Sequence, residues 1–358
     1  METIKKPEYI FYSGEGKLIV TDGNFEEFWK TKRDKLSLET QDKNPYNELG
    51  YLLKKYPYNF FNCKEYFPCQ PHVLLLGIPY KQGSISPNTT VDKFPKHLRE
   101  LSCKYPIYSQ IEGNGTSGLF DIGQGRKLFR GLKIKDLGDL LLPLESLNHL
   151  YEVIFTIVKN LPDQSVLISI GGDHSITYAI LKAFIEQFGK DIILVILDAH
   201  HDSGYRVIPL EDINNSNFVF HLLKCDKVEK ILQIGTRGLR SVFQLKEDPK
   251  VFRFLDFSTD QIFNKLDNIK KENPKACFYL SIDLDCINPI EFPFVDSPVS
   301  GGPMGMELLN FLDRLFCLKI PFCGIDLVEG SVRKGIEKND LPIKILAYCL
   351  DGLKRLFL

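Results

Sequence analysis

Residues 165–204 read SVLISIGGDHSITYAILKAFIEQFGKDIILVILDAHHDSG, and their pattern predicts the architecture of most of the chain. Two short apolar runs, Val166–Ile170 and Ile192–Leu197, are typical of strands buried on both faces of a parallel sheet. Between them, Ile176–Phe188 carries apolar residues at helical spacing, so the unit is predicted to be strand–helix–strand. Further strands and helices alternate along residues 71–358, which indicates an α/β domain with a parallel sheet.

Clusters of polar residues follow three of the predicted strands. The first strand ends in Gly171-Gly172-Asp173-His174, and the second ends in Asp198-Ala199-His200-His201-Asp202. A third apolar run, Phe278–Ile282, leads into Asp283-Leu284-Asp285. Because the carboxyl ends of parallel strands meet at one edge of a sheet, we expect two imidazoles and four carboxylates to converge there.

This set of side chains predicts a metal site. A mixed nitrogen and oxygen donor set suits Mn²⁺, Fe²⁺, Co²⁺, Ni²⁺ or Zn²⁺. Six ligands exceed the four of a structural zinc site and match two ions that share carboxylates, with a bridging hydroxide as nucleophile. If the strands stay extended, Asp198, His200 and Asp202 share one face, and so do Asp283 and Asp285.

Composition narrows the classes of function. The chain has 358 residues, 44% of them hydrophobic, and a net charge of −1, which gives no reason to expect nucleic acid or an anionic membrane as a partner. No apolar run approaches the ~20 residues of a membrane span, and the amino terminus lacks the apolar core of a signal peptide. We therefore expect a cytoplasmic protein. Residues 1–70 are predicted to be an extension packed on the main domain, 71–358.

The motifs resemble those of the ureohydrolases, which include arginase, agmatinase and formiminoglutamase. Gly171-Gly172-Asp173-His174-Ser175 matches the first family motif without change. The second and third motifs and the strand with the family's substrate-binding glutamate are also present, as Asp198–Asp202, Ser281–Asp285 and Gly324–Glu329. The resemblance covers roughly residues 71–358.

The resemblance implies a three-layer fold with an eight-stranded, mainly parallel sheet between helices, two Mn²⁺ ions per chain and a homo-oligomer. Other divalent transition metals are possible. The metal ligands it implies are His174, Asp198, His200, Asp202, Asp283 and Asp285. Glu329 is expected to accept hydrogen bonds from a guanidinium or amidine, and Asn215 and His201 are further candidate catalytic residues. Asp173 and Ser281 are expected to lie next to the metal ligands and to orient them through hydrogen bonds.

Two departures from the family pattern bear on the substrate. Arginases and agmatinases carry a proton-shuttling histidine about a dozen residues after the second motif, where this chain has Asn215 or Ser216; His221 lies farther along. Asparagine cannot shuttle a proton at neutral pH. Arginase also holds its amino acid through an asparagine at the position of Gly204. Free L-arginine is therefore not the favoured substrate.

The sequence thus predicts a Mn²⁺-dependent hydrolase of a C–N bond in a guanidino or amidino group. Two alternatives within this class are a formiminoglutamase-type enzyme and an ornithine-forming hydrolase that acts on arginine within a peptide. The alternative of another class is a non-enzymatic metal-binding or regulatory protein on the same fold. The complete ligand set argues against that last alternative.

Overall fold

The computed structural model describes residues 49–63, 71–107, 115–141, 146–162, 164–204, 212–239 and 248–358, together with the backbone of 9–12 and 18–21. The chain divides into two compact units, Met1–Lys54 and Lys55–Leu358. The first contains an antiparallel hairpin of β1 (Tyr9–Tyr12) and β2 (Leu18–Thr21), and it ends with the two-residue strand β3 (Leu53–Lys54). Most of residues 1–70 lies outside the described residues, so their role as a packed extension stays a prediction.

Strands and helices alternate along the second unit, as the sequence predicts. Its strands are β4 (Val73–Ile78), β5 (Leu119–Asp121), β6 (Arg126–Leu128), β7 (Ile134–Leu140), β8 (Val166–Gly171), β9 (Ile192–Leu197), β10 (Val228–Ile234), β11 (Val251–Phe254), β12 (Cys277–Asp283) and β13 (Phe322–Val328). Its helices are α1 (Phe94–Ser102), α2 (Leu147–Lys159), α3 (Ile176–Phe188), α4 (Phe218–Leu222), α5 (Asp260–Glu272), α6 (Gly305–Cys317) and α7 (Leu341–Phe357).

Eight strands of this unit form one sheet in the order β11-β10-β9-β12-β13-β8-β4-β7, and every adjoining pair is parallel. The expected α/β fold is confirmed. Within the second unit, this sheet has the expected eight strands. The hairpin of β5 and β6 is an addition that the sequence pattern did not predict.

Helices cover both faces of the sheet. Connections from β7 through β11 advance in one direction, whereas those from β4 to β7 and from β11 through β13 advance in the other. Since parallel crossovers are right-handed, α2, α3 and α4 lie on one face and α1, α5 and α6 on the other. Contacts agree, because α2 packs on α3, and α7 packs on α6 and α1. The unit therefore has the three layers expected.

The chain reverses its direction of winding between the neighbouring strands β9 and β12. The connection after β9 crosses one face and the connection after β12 crosses the other, which opens a crevice at their carboxyl ends. The strand ends are level there, since Leu197 pairs with Ile282, Asp283 with Val328, and Leu327 with Ile170. The polar motifs thus come together at one point, as predicted.

The central strands are buried along their whole length. Every residue of Val166–Gly171 and Ile192–Leu197 is buried, which explains why these runs contain no polar residue except Ser169. At the end of α3, Gly189 adopts φ +61° in the left-handed region, where glycine lacks the steric penalty of other residues. Within the described part of the chain, no helix is long and apolar enough to cross a membrane.

Candidate metal centre

Six side chains from the three motifs gather at the crevice between β9 and β12. His174 lies in the turn between β8 and α3, and Asp198 immediately follows β9. Asp283 is the last residue of β12, and Asp285 lies in the short 3-10 turn Leu284–Cys286 that follows it. The turn after β8 packs tightly against the segment that follows β4. A Cβ on Gly172 would lie 1.7 Å from the carbonyl oxygen of Tyr80. Only glycine fits that position.

The first ligand group is formed by His174, Asp198 and Asp202, whose donor atoms lie within 4.8 Å of one another. The Nδ1 of His174 is 3.3 Å from Asp198 Oδ2 and 3.2 Å from Asp202 Oδ2. It is also 3.1 Å from Asp283 Oδ2. Yet His174 Nδ1 and Asp198 Oδ2 are buried without a hydrogen-bond partner. Buried polar atoms are almost always satisfied, so this exception indicates a ligand that completes the group.

The second ligand group is formed by Asp198, His200 and Asp285, again within 4.8 Å of one another. His200 Nδ1 lies 2.7 Å from Asp285 Oδ2 and 3.7 Å from Asp198 Oδ1. Asp198 therefore belongs to both groups, with Oδ2 facing His174 and Oδ1 facing His200. A carboxylate shared in this way is the arrangement expected of two neighbouring ions.

Neither aspartate motif stays extended, so the condition under which alternate residues would share one face is not met. The strand ends at Leu197, and Asp202 lies in the left-handed region with φ +43°, so the motif turns instead of continuing. Likewise, Asp283 Oδ1 accepts a hydrogen bond from the backbone of Asp285 at 2.8 Å and starts a 3-10 turn. These turns send His200 and Asp285 to the second group, while Asp202 and Asp283 approach His174.

The charges of the cluster call for cations. Burial, followed by repulsion from Asp202 and Asp285, raises the pKa of Asp198 well above its usual range. Burial and the neighbouring Asp285 and Asp198 raise the pKa of Asp283 in the same way. Burial is the largest single influence on His200 and lowers its pKa, but the hydrogen bond to Asp285 and the negative charges of Asp285, Asp198 and Asp202 together outweigh burial and raise the pKa to about 9. Four buried carboxylates with neutral imidazoles carry a charge that two divalent ions would offset.

The donor set also fits transition-metal ions chemically. Imidazole nitrogen and carboxylate oxygen suit Mn²⁺ and its neighbours in the first row, whereas thiolate ligands would favour softer ions. The structure thus brings together the six predicted metal ligands, and these residues could hold one ion in each group.

Glu329 lies next to the ligands, directly after β13. Its Oε1 accepts hydrogen bonds from the backbone N–H of His174 at 2.8 Å and from Asn215 Nδ2 at 3.0 Å. Its own backbone has φ +64°, a strained conformation for a residue with a side chain and one that is concentrated at functional sites. Burial, followed by repulsion from Asp173, raises the pKa of Glu329 to about 8. This carboxylate is therefore suited to pair with a cation that enters the crevice.

Asn215 is held between the Glu329 carboxylate and the loop after β4. Its Oδ1 accepts from the backbone N–H of Ile85 at 3.2 Å, and its backbone N–H donates to the carbonyl of Gly83 at 2.8 Å. His221 lies on α4 with its ring against those of Tyr178 and Phe220, at 6.4 and 5.4 Å. Gly204, with φ +82°, bonds through its backbone to Ser216.

The remaining predicted site residues lie around the ligands. Asp173 is buried and accepts hydrogen bonds from the backbone of Gly83 at 2.9 Å and of Ser175 at 3.0 Å. Burial raises its pKa to about 6. His201 is buried too, and its Nδ1 accepts from the backbone N–H of Ser203 at 3.0 Å. Ser281 lies 2.9 Å from His174 Nε2.

Three residues near the site were missed by the sequence analysis. Phe218 packs its ring 4.5 Å from the ring of His174, and Asp326 accepts a hydrogen bond from Ser281. Arg237 donates to the carbonyl oxygens of Asp285 and Cys286 at 3.1 Å and so braces the turn that carries Asp285. Of these three residues, only Asp326 could have been found from the sequence. It lies within the apolar strand Phe322–Val328, and a charged side chain in a buried strand needs hydrogen-bond partners.

Comparison with known proteins identifies the family. A model described as the arginase family matches residues 71–340. An agmatinase from Neisseria meningitidis is 26% identical over 334 residues, covering 90% of this chain and 96% of that protein. Arginase 1, mitochondrial, from Arabidopsis thaliana is 27% identical over 225 residues, covering 59% of this chain and 63% of that protein. The chain thus spans just under two thirds of the plant arginase that it matches.

Solved structures share the fold. A proclavaminate amidino hydrolase from Streptomyces clavuligerus superposes with a TM-score of 0.63 at 23% identity, covering 88% of this chain and all of that one. A formimidoylglutamase from Bacillus subtilis gives a TM-score of 0.62 at 19% identity, covering 90% of this chain and 98% of that one. With the family model matching three quarters of its length, this chain belongs to the arginase family.

Proposed function

We propose that the chain is a hydrolase that depends on two divalent metal ions, in the first instance Mn²⁺, and cleaves a C–N bond in a guanidino or amidino group. Under the same proposal the protein is a cytoplasmic homo-oligomer. The two ligand groups joined by Asp198, beside the buried acceptor Glu329, are the observation that carries the proposal. Membership of the arginase family supports it independently.

The bound ions would supply water activation at neutral pH and electrostatic stabilisation of the charge that develops on the substrate. The protein's part is to fix the spacing of the two ions. Asp198 would do so, because its Oδ2 faces His174 and its Oδ1 faces His200. The turn at Asp285 keeps the Asp285 carboxylate against His200. Arg237 holds that turn through backbone carbonyls.

Glu329 would orient the planar cation. The hydrogen bond from the His174 backbone ties the Glu329 carboxylate to the segment that carries a metal ligand, so the position of the cation is set relative to the ions. The pKa of about 8 means that the carboxyl group gains its charge most readily when a cation arrives to pair with it. Charge-assisted hydrogen bonds then hold the substrate.

Free L-arginine is not the favoured substrate under this proposal. Asn215 approaches Glu329 through its amide, which does not titrate near neutral pH and so cannot shuttle a proton. Gly204 has no side chain to bind an α-carboxylate. Arginine within a peptide has no free α-carboxylate to anchor, so it remains a substrate to test.

A formiminoglutamase-type reaction is a second candidate, and one observation favours it. Oε1 of Glu329 already accepts two hydrogen bonds, from His174 and Asn215. A guanidinium that pairs edge-on with a carboxylate needs both oxygens for its two parallel bonds. Only Oε2 is left here, and a terminal amidine with a single NH₂ group is satisfied by one oxygen.

A substrate screen tests the proposal. The full-length protein would be loaded with Mn²⁺ and assayed for release of urea, formamide or ammonia. The panel should contain agmatine and other guanidino compounds, formiminoglutamate, arginine-containing peptides and L-arginine. Turnover of one compound that disappears on chelation and returns with Mn²⁺ is the expected result. Full activity after complete removal of metal would refute the metal mechanism, and a protein that binds two ions but turns over nothing would favour a binding or regulatory role.

A further inference from the structure

A buried chain of hydrogen bonds runs from the metal ligand His174 into the sheet. His174 Nε2 lies 2.9 Å from Ser281 Oγ, and Ser281 Oγ donates to Asp326 Oδ1 at 2.5 Å. Ser281 and Asp326 are direct register partners on β12 and β13, and both have no exposed surface. The chain therefore links the imidazole to a carboxylate that solvent does not reach.

The hydrogens of this network can be assigned from its contacts. Thr177 Oγ1 donates to Asp326 Oδ2 at 2.8 Å, and the hydroxyl of Tyr279 donates to the same oxygen at 3.0 Å. With Ser281, the carboxylate accepts three hydrogen bonds, which fits its ionised, acceptor-only form. The single hydrogens of Ser281 and Thr177 are both used on Asp326. Ser281 Oγ can therefore only accept from His174, and the proton of the imidazole must be on Nε2.

We propose that Asp326, acting through Ser281, is a positioning residue that keeps the proton of His174 on Nε2 and leaves the Nδ1 lone pair for a metal ion. Nδ1 is the buried atom without a hydrogen-bond partner that faces the carboxylates of Asp198, Asp202 and Asp283. In the other tautomer a hydrogen on Nδ1 would occupy the place of the ion. This inference rests on the proposed metal site.

Three conservative variants separate positioning from packing. Ser281→Ala removes the acceptor for His174 Nε2. In Asp326→Asn, the single carbonyl oxygen satisfies two hydroxyls when it faces Thr177 and Tyr279, so the NH₂ group faces Ser281. The Ser281 hydroxyl then turns toward His174 and shifts its proton to Nδ1. Tyr279→Phe is the matched control, since it removes one bond to Asp326 without touching Ser281.

The test measures tautomer and metal affinity, not turnover. Full-length protein with ¹⁵N-labelled histidine would be measured free of metal, and long-range ¹H–¹⁵N spectra would report which nitrogen of His174 carries the proton. The same samples would then be loaded with Zn²⁺. Competition with a chelator would give the affinity of each ion. We expect Nε2–H in the wild type and the control. We expect binding of one of the two ions to weaken roughly 10- to 100-fold in Ser281→Ala and Asp326→Asn.

The outcomes distinguish this inference from the function on which it rests. A wild type that binds no divalent ion would overturn the proposed function and the inference together. A wild type that binds two ions, with Ser281→Ala and Asp326→Asn unchanged in tautomer and affinity, would overturn the inference alone. Equal weakening in Tyr279→Phe would also overturn it, because the network would then act only through packing.

Discussion

Replacing Glu329 with glutamine is the most direct test of how a substrate cation would be held. The side chain is buried, and its Oε1 faces two donors, the backbone N–H of His174 and the amide of Asn215. Glutamine is nearly isosteric, and its carbonyl oxygen would stay toward these two donors. Its NH₂ group would then stand where Oε2 was, so an acceptor that faces the substrate becomes a donor.

The expected loss follows from the hydrogen bond that disappears. A hydrogen bond to a charged group contributes about 1.5–3 kcal/mol. Since about 1.4 kcal/mol corresponds to a factor of ten, Glu329→Gln should lower kcat/KM roughly 10- to 150-fold. Metal content should not change, because Glu329 is not among the grouped ligand residues.

The assay compares kcat/KM for the best compound of the substrate panel, with metal content measured by elemental analysis on the same samples. Glu272→Gln is a matched control, because it makes the same chemical change at an exposed position on α5. Unchanged kinetics in Glu329→Gln with two ions bound would refute the assignment of a guanidinium or amidine to this carboxylate. Loss of the ions in that variant would show that Glu329 supports the metal site instead.

Three further predictions follow from the site. The protein should bind about two Mn²⁺ per chain by elemental analysis. Asp198→Asn should lower the occupancy of both sites, because Asp198 belongs to both groups, whereas His200→Asn should lower the occupancy of one site and abolish turnover. Equal effects of the two variants on metal occupancy would argue against a shared carboxylate. Free L-arginine should have a kcat/KM at least ~100-fold below that of the best substrate, the low end of a shuttle's contribution, and arginine as the best substrate would show that the loop with Asn215 is misinterpreted. In metal-free protein, the raised pKa of Glu329 means that its proton stabilises the fold fully below the pKa of the unfolded chain, about 4.5, and that this contribution is lost as pH rises through about 8. The thermal unfolding temperature should therefore fall less between pH 5 and 9 in Glu329→Gln than in the wild type. Parallel curves of unfolding temperature against pH for the two proteins would contradict the raised pKa.

The local sequence pattern predicted the helices and strands accurately where the element is buried in the sheet or packs on it. The bounds of Ile176–Phe188 and Ile192–Leu197 agree with those expected, and the strand Cys277–Asp283 extends the predicted run Phe278–Ile282 by one residue at each end. Helical periodicity and apolar runs are local properties of the sequence. The hairpin of Leu119–Asp121 and Arg126–Leu128 was not predicted, since strands of three residues are too short to show a periodicity.

The amino-acid sequence by itself determined the α/β class, the six candidate metal-ligand residues and their convergence, because strand ends followed by Asp and His need only the rule that parallel strands end together. Tertiary structure decided how the ligands divide. Asp202 has a left-handed φ and Asp285 lies in a 3-10 turn. As a result, His200 and Asp202 belong to different groups although they are only two residues apart. It also decided the environment of each group: Asn215 reaches Glu329 across 114 residues of chain, and Asp326 meets His174 only through Ser281 on the neighbouring strand. Contacts of this kind depend on the strand order and register of the sheet, which no local pattern encodes.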